Sequence, residues 1–523
     1  MTGGSAGYAE ARDRIPTKES TSEVSDTQAA GTQQAEPKVV DALVVGAGLS
    51  GIGAGVTLAR AGWHDFVIVD KCADFGGTWR ANTYPGVACD IPSQVYSFGF
   101  APHREWSRIF APGEEILRYL HRVADEWDLR RRTRFGTELL EATWDESSGR
   151  WMARTSGGEY RARILVLGTG ILEDPKLPPV PGLAQFPGRV FHTSRWPDDY
   201  DPRGERVAVI GTGASTVQVL PEIQPLVARL SLLQRTPAWV LPKPDWKHSR
   251  AVRALVRRVP GAQKALRGMQ WVGAEAFLAS LLSARASKTI AVAARWNIRR
   301  AITDPVKRAA LTPDYVLGCK RALLSNTYYP ALAADNVELV PSALAQVRGS
   351  TVIAGDGSGR EVDTIILGTG FHVVDAPIWA AVRDRAGERL ADRWKGSPTA
   401  YKGITVSGCP NMFVLWGPNG SSASVFTAVE SSLGYLGAAL RTIREQGLRS
   451  VEVRPEVEAG WKAMANAYAS RSMHNIGGCQ TYYLDRNGEN MTLFPASMRG
   501  MRDQLRTFDL DAYDVSRGES PLS

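Results

Sequence analysis

Two glycine-rich turns carry the first chemical signal. Gly46-Ala47-Gly48-Leu49-Ser50-Gly51 follows the apolar run Val39–Val45 and opens a helix through Ala61. Gly46 makes the tight turn, Gly48 lets the backbone approach a pyrophosphate, and Gly51 lets helix and strand pack closely. The free N–H groups of the helix start favour an anion. Asp70 stands 22 residues after Gly48, at the end of the strand Phe66–Val69, placed to accept from a ribose hydroxyl. The second turn is Gly211-Thr212-Gly213-Ala214-Ser215-Thr216, after the strand Val207–Ile210. Thr216 replaces its third glycine, which puts the tightness of that helix in question. Ser215 and Gln218, on the helix it opens, join the candidate contacts. Its next strand, Leu230–Leu233, ends in Gln234-Arg235-Thr236 instead of an acid. A guanidinium and a hydroxyl there suit a 2′-phosphate, so the pattern favours NADPH over NADH. The competing role for Arg235 is a cap on the sheet edge.

Two dinucleotide sites in one chain imply two nucleotides face to face, FAD held permanently and NADPH arriving as reductant. The elements that must position them follow. The fold class is α/β, with two Rossmann-like dinucleotide-binding domains and a helical insertion. Residues 1–37 read as a disordered leader. Residues 38–172 and 380–523 form the FAD unit, residues 173–244 and 311–379 the NADPH unit, and residues 245–310 the insertion. Two apolar segments resemble each other, Ile164–Gly170 and Ile365–Gly370, each ending in Gly-Thr-Gly. They read as the strands that return the chain from one unit to the other.

The chain has 523 residues and a formal net charge of +8, a thin excess for its length. It suits solubility and phosphate-bearing cofactors and gives no reason to invoke nucleic acid. The five cysteines, Cys72, Cys89, Cys319, Cys409 and Cys479, are widely spaced and form no CxxC pair. That count points to a reducing, cytoplasmic compartment. No apolar run suits a stable membrane span. The basic stretch Arg250–Arg267 could face a membrane or be a solvated helix face. No metal site is assigned.

Three further segments narrow the reaction. Phe186, Gly188, His192, Trp196 and Pro197 fit the pattern FxGxxxHxxxWP, and Gly76-Gly77-Thr78-Trp79, Tyr84-Pro85-Gly86 and Asp90 fit GGxWxxxxYPGxxxD. Gly318-Cys319-Lys320-Arg321 is followed by Tyr328-Tyr329-Pro330. From about residue 38 to residue 500 the chain resembles the type I Baeyer–Villiger monooxygenases. The resemblance implies conversion of a ketone to an ester or lactone through a C4a-peroxyflavin, with FAD, NADPH and O2. It implies that Arg321 is the catalytic cation beside the peroxide, that Asp90 orients it, and that Lys320 joins Arg235 on the 2′-phosphate. It places Gly77, Thr78 and Trp79 near the flavin cofactor and Gly477–Asp485 near the nicotinamide. His192 would lie in the interdomain linker and couple domain rotation to coenzyme binding.

A protonated guanidinium lowers the energy of a neighbouring oxygen anion, and a carboxylate fixes its orientation. The alternatives are a related flavin monooxygenase acting on amines or sulfides, a reductase, which would need a cysteine pair, and a non-enzymatic NADPH sensor. The stretch after Gly417-Pro418-Asn419 departs from the family, so the particular ketone is not carried over.

Overall fold

The computed structural model describes residues 36–517. The leader therefore lies outside the described residues, apart from Glu36 and Pro37.

The strand Lys38–Val45 buries apolar residues on both faces because both are covered. Ala42 and Val44 enter one core cluster, and Val40, Leu43 and Val45 enter another. Such runs belong to parallel sheets with layers on each side. The strand is central in a sheet ordered Thr133–Phe135, Phe66–Asp70, Lys38–Val45, Gly158–Leu167, Arg150–Thr155, Leu139–Asp145. The first four strands are parallel and the last two turn back antiparallel. Met412–Val414 adds a further parallel strand beside Gly158–Leu167. The helix Val425–Glu445 closes one face, sharing a core with the helix Leu49–Arg60.

The second sheet is wholly parallel, in the order Val337–Val340, Arg229–Leu233, Arg206–Ile210, Thr364–Leu367, Arg189–His192. Its return to the first unit comes a little before residue 380, because Ala376 and Trp379 already pack in the first unit's core.

The two Gly-Thr-Gly segments occupy equivalent places. Gly168 N–H donates to Val45 O at 2.8 Å, and Gly368 N–H donates to Ile210 O at 2.8 Å. A Cβ on Gly46 would fall 2.6 Å from Gly168 O, and one on Gly211 would fall 2.5 Å from Gly368 O. Each repeat is thus the strand against which its glycine turn is pressed. The pair at the third position explains Thr216. A Cβ on Gly51 would meet Gly46 O at 1.7 Å, so the first helix needs glycine there. In the second helix, Ala214–Ile223, Thr216 is fully buried, and a Cβ on Gly368 would lie 2.1 Å from its Oγ1. The threonine hydroxyl thus lies against Gly368, where a side chain would crowd it.

Residues 245–310 are helical as expected: Arg250–Arg258, Ala262–Leu282, Ala284–Ala301 and Pro305–Ala310. Ser249, Ser283 and Asp304 cap three of these, accepting from Val252, Ala286 and Val306 N–H. Ile298 and Ile302 anchor the insertion in the second unit's core. Among the described residues, no single helix is long and apolar enough to cross a membrane.

The Gly368 contact is testable. Gly368→Ala should lower the thermal midpoint by several degrees, the scale of an overpacked core. Adding Thr216→Ala should recover most of the loss. An unchanged midpoint in the single variant would contradict the packing.

Candidate active site

Both glycine turns leave a helix start open. Gly48 and Gly213 are the N-cap residues of their helices, and neither start is capped by a side chain. Orphan N–H groups of this kind are an anion site. In the first unit the cradle has a second wall. Gly76 and Gly77 have φ of +125° and +51°, and a Cβ on Gly77 would meet Gly48 Cα at 3.0 Å. Two glycine backbones thus approach each other closely, where any side chain would crowd the cradle. Asp70 ties this loop down: its carboxylate accepts from Ala47 N–H at 2.6 Å and Cys72 N–H at 2.7 Å. Thr78 starts the short helix Thr78–Ala81, and Trp79 donates from Nε1 to Tyr96 Oη at 3.1 Å.

In the second unit a cavity of about 490 Å³ is lined by Arg235, Thr236, Tyr315, Lys320 and Gln480. Thr236 O accepts from Thr212 Oγ1 at 2.8 Å, which joins this pocket to the glycine turn. Burial, and then the charge of Arg235, holds the Lys320 ammonium below its ordinary pKa. Two cations that disfavour each other in one cavity fit an anionic group between them. Arg235 therefore faces a pocket, beyond any role at the sheet edge. Ser215 stands on the first turn of the helix Ala214–Ile223. Gln218 is used differently from the expectation. Its amide accepts from Tyr84 Oη at 2.8 Å and donates to Ala88 O at 2.9 Å, so it clasps the first unit. Residue type and helix position gave no hint of that direction.

The clasp leads to Asp90, two residues beyond Ala88. Arg321 approaches it side-on, Nε to Oδ2 at 2.8 Å and Nη2 to Oδ1 at 2.6 Å. The two residues are 231 apart in sequence and come from different units. Arg321 is delivered by the strand Leu323–Leu324, paired with Val240–Leu241, over a small core of Trp239, Leu317 and Ala322. Burial alone would raise the Asp90 carboxyl, but the charge and hydrogen bonds of Arg321 outweigh it and hold it below the usual range. The charge of Asp90 in turn raises the guanidinium well above its ordinary value. The Arg321 side chain remains 41% exposed, and Nη1 has no protein partner among the described residues. A fixed cation with free donors can bind an anion or stabilise developing negative charge. Tyr482 and Tyr483 also act on Arg321. Burial raises the Tyr483 phenol and keeps it neutral.

Two further sequence expectations are corrected. His192 is not in a linker. It ends the edge strand Arg189–His192, is buried, and its Nδ1 accepts from Ser194 N–H at 3.2 Å. Burial, with Arg195 adding, lowers its pKa to about 4, so it is neutral near pH 7. Its motif partners build the same edge. A Cβ on Gly188 would lie 2.1 Å from Asp363 O, Phe186 packs in the second unit's core, and Trp196 stacks edge-on against Phe191 at 5.1 Å.

The second correction concerns cysteine. Cys319 and Cys479 are joined in a disulfide, with Cα atoms 6.1 Å apart and a sequence separation of 160. Spacing along the chain could not show a pair made by the fold. The count therefore supports no compartment, and the argument against a reductase from a missing pair falls. The bridge ties the arginine loop to the segment carrying Tyr482 and Tyr483, beside a hydrogen bond from Val316 N–H to Gly477 O at 3.1 Å. Sequence reading also missed Tyr96 and Lys243. Both sit close enough to Asp90 to feel its charge, and neither lies in a motif.

Alkylation of the denatured, unreduced protein should label three thiols, those of Cys72, Cys89 and Cys409, and five after reduction. Five labels without reductant would contradict the bridge.

Comparison with known proteins agrees with this geometry. Residues 43–258 match the family model described as pyridine nucleotide-disulphide oxidoreductase. The chain is 46% identical over 479 residues to a Baeyer–Villiger monooxygenase of Streptomyces coelicolor, covering 91% of this chain and 92% of that one. It matches the structure of cyclohexanone monooxygenase from Rhodococcus sp. Phi1 bound to NADP+ with a TM-score of 0.83 and 28% identity, over 92% of this chain and 100% of that one. It matches OTEMO in complex with FAD and NADP with a TM-score of 0.82 and 26% identity, again over 92% and 100%. The cysteine bridge lies outside the matched reductase region, and the identity and coverage decide the assignment: the chain belongs to the Baeyer–Villiger monooxygenase family.

Proposed function

We propose that the chain inserts one atom of O2 beside the carbonyl of a ketone, with Arg321 as its catalytic cation. Ketone, O2, NADPH and a proton give an ester or lactone, water and NADP+. Bound FAD, reduced by NADPH, supplies the activation of O2. The single observation that carries the reading is the side-on Arg321–Asp90 pair with Nη1 left free.

The residues fit both nucleotides. Gly46, Gly48, Gly51 and Gly77 bracket the FAD pyrophosphate, and Thr78 and Trp79 flank it. Asp70 holds the loop with one lone pair of each oxygen and keeps another for the ribose. Gly211, Gly213 and Ser215 receive the NADPH pyrophosphate. Arg235, Thr236 and Lys320 hold its 2′-phosphate, and Gln218 keeps the two units in register. Dependence on these nucleotides supports a cytoplasmic location.

Arg321 acts through charge. Its raised pKa means that it gives up no proton, so an oxygen nucleophile beside it stays anionic. The same free donors stabilise negative charge that develops on the ketone oxygen. Asp90 is a positioning residue that keeps the guanidinium plane fixed. Tyr482 and Tyr483, on the segment tied to the arginine loop by the Cys319–Cys479 bridge, stand close enough to Arg321 to feel its charge. Excluding water matters because protonation of the nucleophile competes with oxygen transfer.

With a ketone panel and isotopically labelled O2, the enzyme should give an ester carrying one labelled oxygen. Arg321→Ala should lower ester formation by about a hundredfold or more while NADPH oxidation continues with release of hydrogen peroxide. A variant that keeps the wild-type rate of labelled ester would refute the role. Arg235→Ala and Lys320→Ala should each raise KM for NADPH by about tenfold and leave NADH little affected. Equal losses with both coenzymes would remove the 2′-phosphate assignment.

A further inference from the structure

The net charge of the chain is +8, yet residues 246–300 alone hold twelve lysines and arginines and a single acid, Glu275. That segment stands at +11, and the remainder of the chain at −3. Among the described residues, only Arg257 and Arg267 of this set are ion-paired, to Glu105 and Glu430.

The helix Ala262–Leu282 within this segment is mounted inside out. Gln263, Arg267 and Gln270 share the face turned to the protein. Gln263 Nε2 donates to Gln94 Oε1 at 3.2 Å, and Gln270 Oε1 accepts from Gln94 N–H at 3.1 Å. Arg267 donates to Gln94 O at 2.7 Å, Ser97 O at 2.8 Å and Glu430 Oε2 at 2.8 Å. Ala274, next on that face, is buried. The opposite face carries Ala265, Met269, Val272 and Ala276, all exposed, with Met269 at 67% and Val272 at 61%. A surface helix ordinarily does the reverse. Here the polar stripe is spent on the protein and the apolar stripe faces water, which costs free energy unless an apolar partner covers it.

The next helix, Ala284–Ala301, meets this one at a 104° elbow. Its exposed side interleaves Arg285, Lys288, Arg295 and Arg299 with Val292 and Trp296, which are 63% and 54% exposed. We propose that this elbow docks the enzyme on an anionic lipid bilayer. Phosphate headgroups would meet the unpaired cations, while Met269, Val272, Val292 and Trp296 would enter the interfacial layer. The proposed contact is peripheral, since no single helix here is long and apolar enough to cross and the pair is bent by 104°. Two copies joined symmetrically through this face would bring two +11 segments together. A nucleic acid would satisfy the charge and leave the apolar stripe in water. A bilayer meets both requirements.

The test is flotation of the FAD-loaded enzyme with phosphatidylcholine vesicles, with and without phosphatidylglycerol. Binding is expected only with the anionic lipid, and it should fall in high salt. Arg285→Glu/Arg295→Glu/Arg299→Glu should weaken it by about tenfold or more, and Met269→Glu/Val272→Glu should weaken it without removing its salt dependence. Both variants should oxidise NADPH at the wild-type rate in solution. Absent binding to anionic vesicles, or equal binding to both lipids, would overturn the proposal. So would a dimer that Met269→Glu dissociates, or duplex DNA that displaces the vesicles.

Discussion

The proposed active site depends on one ion pair made across the two units. Arg321 and Asp90 are too far apart in sequence for local structure to join them. A guanidinium beside a reacting oxygen must be fixed in plane and kept charged, and a side-on carboxylate does both. Much of the surrounding architecture can be read as the means of bringing these two side chains together. Gln218 clasps the segment that leads to Asp90, the Val240–Leu241 and Leu323–Leu324 strands deliver Arg321, and the cysteine bridge holds two tyrosines beside it.

The parts legible in the sequence were those set by backbone geometry. Gly46 and Gly211 recur because each turn presses against the glycine that ends a returning strand, and that strand recurs as Gly-Thr-Gly for the same reason. Even the departure at Thr216 is local, since its side chain packs against Gly368. The Arg235-Thr236 pair could be placed because a strand end fixes where its next residues emerge.

Side-chain direction was not legible. Gln218 sits on the expected helix and faces the other unit. His192 sits in the expected motif, but as a buried, neutral edge residue. Cys319 and Cys479 became a pair only through folding. Charge was misread for a related reason. A total of +8 looks thin when spread over 523 residues, but its distribution is concentrated in one insertion. The cations at the proposed nucleotide sites are few, and the surplus lies elsewhere. Whether a basic helix faces protein or solvent depends on which stripe is buried, and in Ala262–Leu282 that stripe is the polar one.

On the proposed function, oxygen transfer, unlike coenzyme oxidation, requires a guanidinium held in place by a carboxylate. The most direct measurement is ester formed per NADPH consumed in Asp90→Asn, followed beside the FAD absorbance spectrum to show that the cofactor site is intact. An unaltered spectrum, continued NADPH oxidation and a coupling ratio reduced by about tenfold or more are expected. An unchanged coupling ratio would contradict that requirement, because Arg321 would then work without the partner that fixes it.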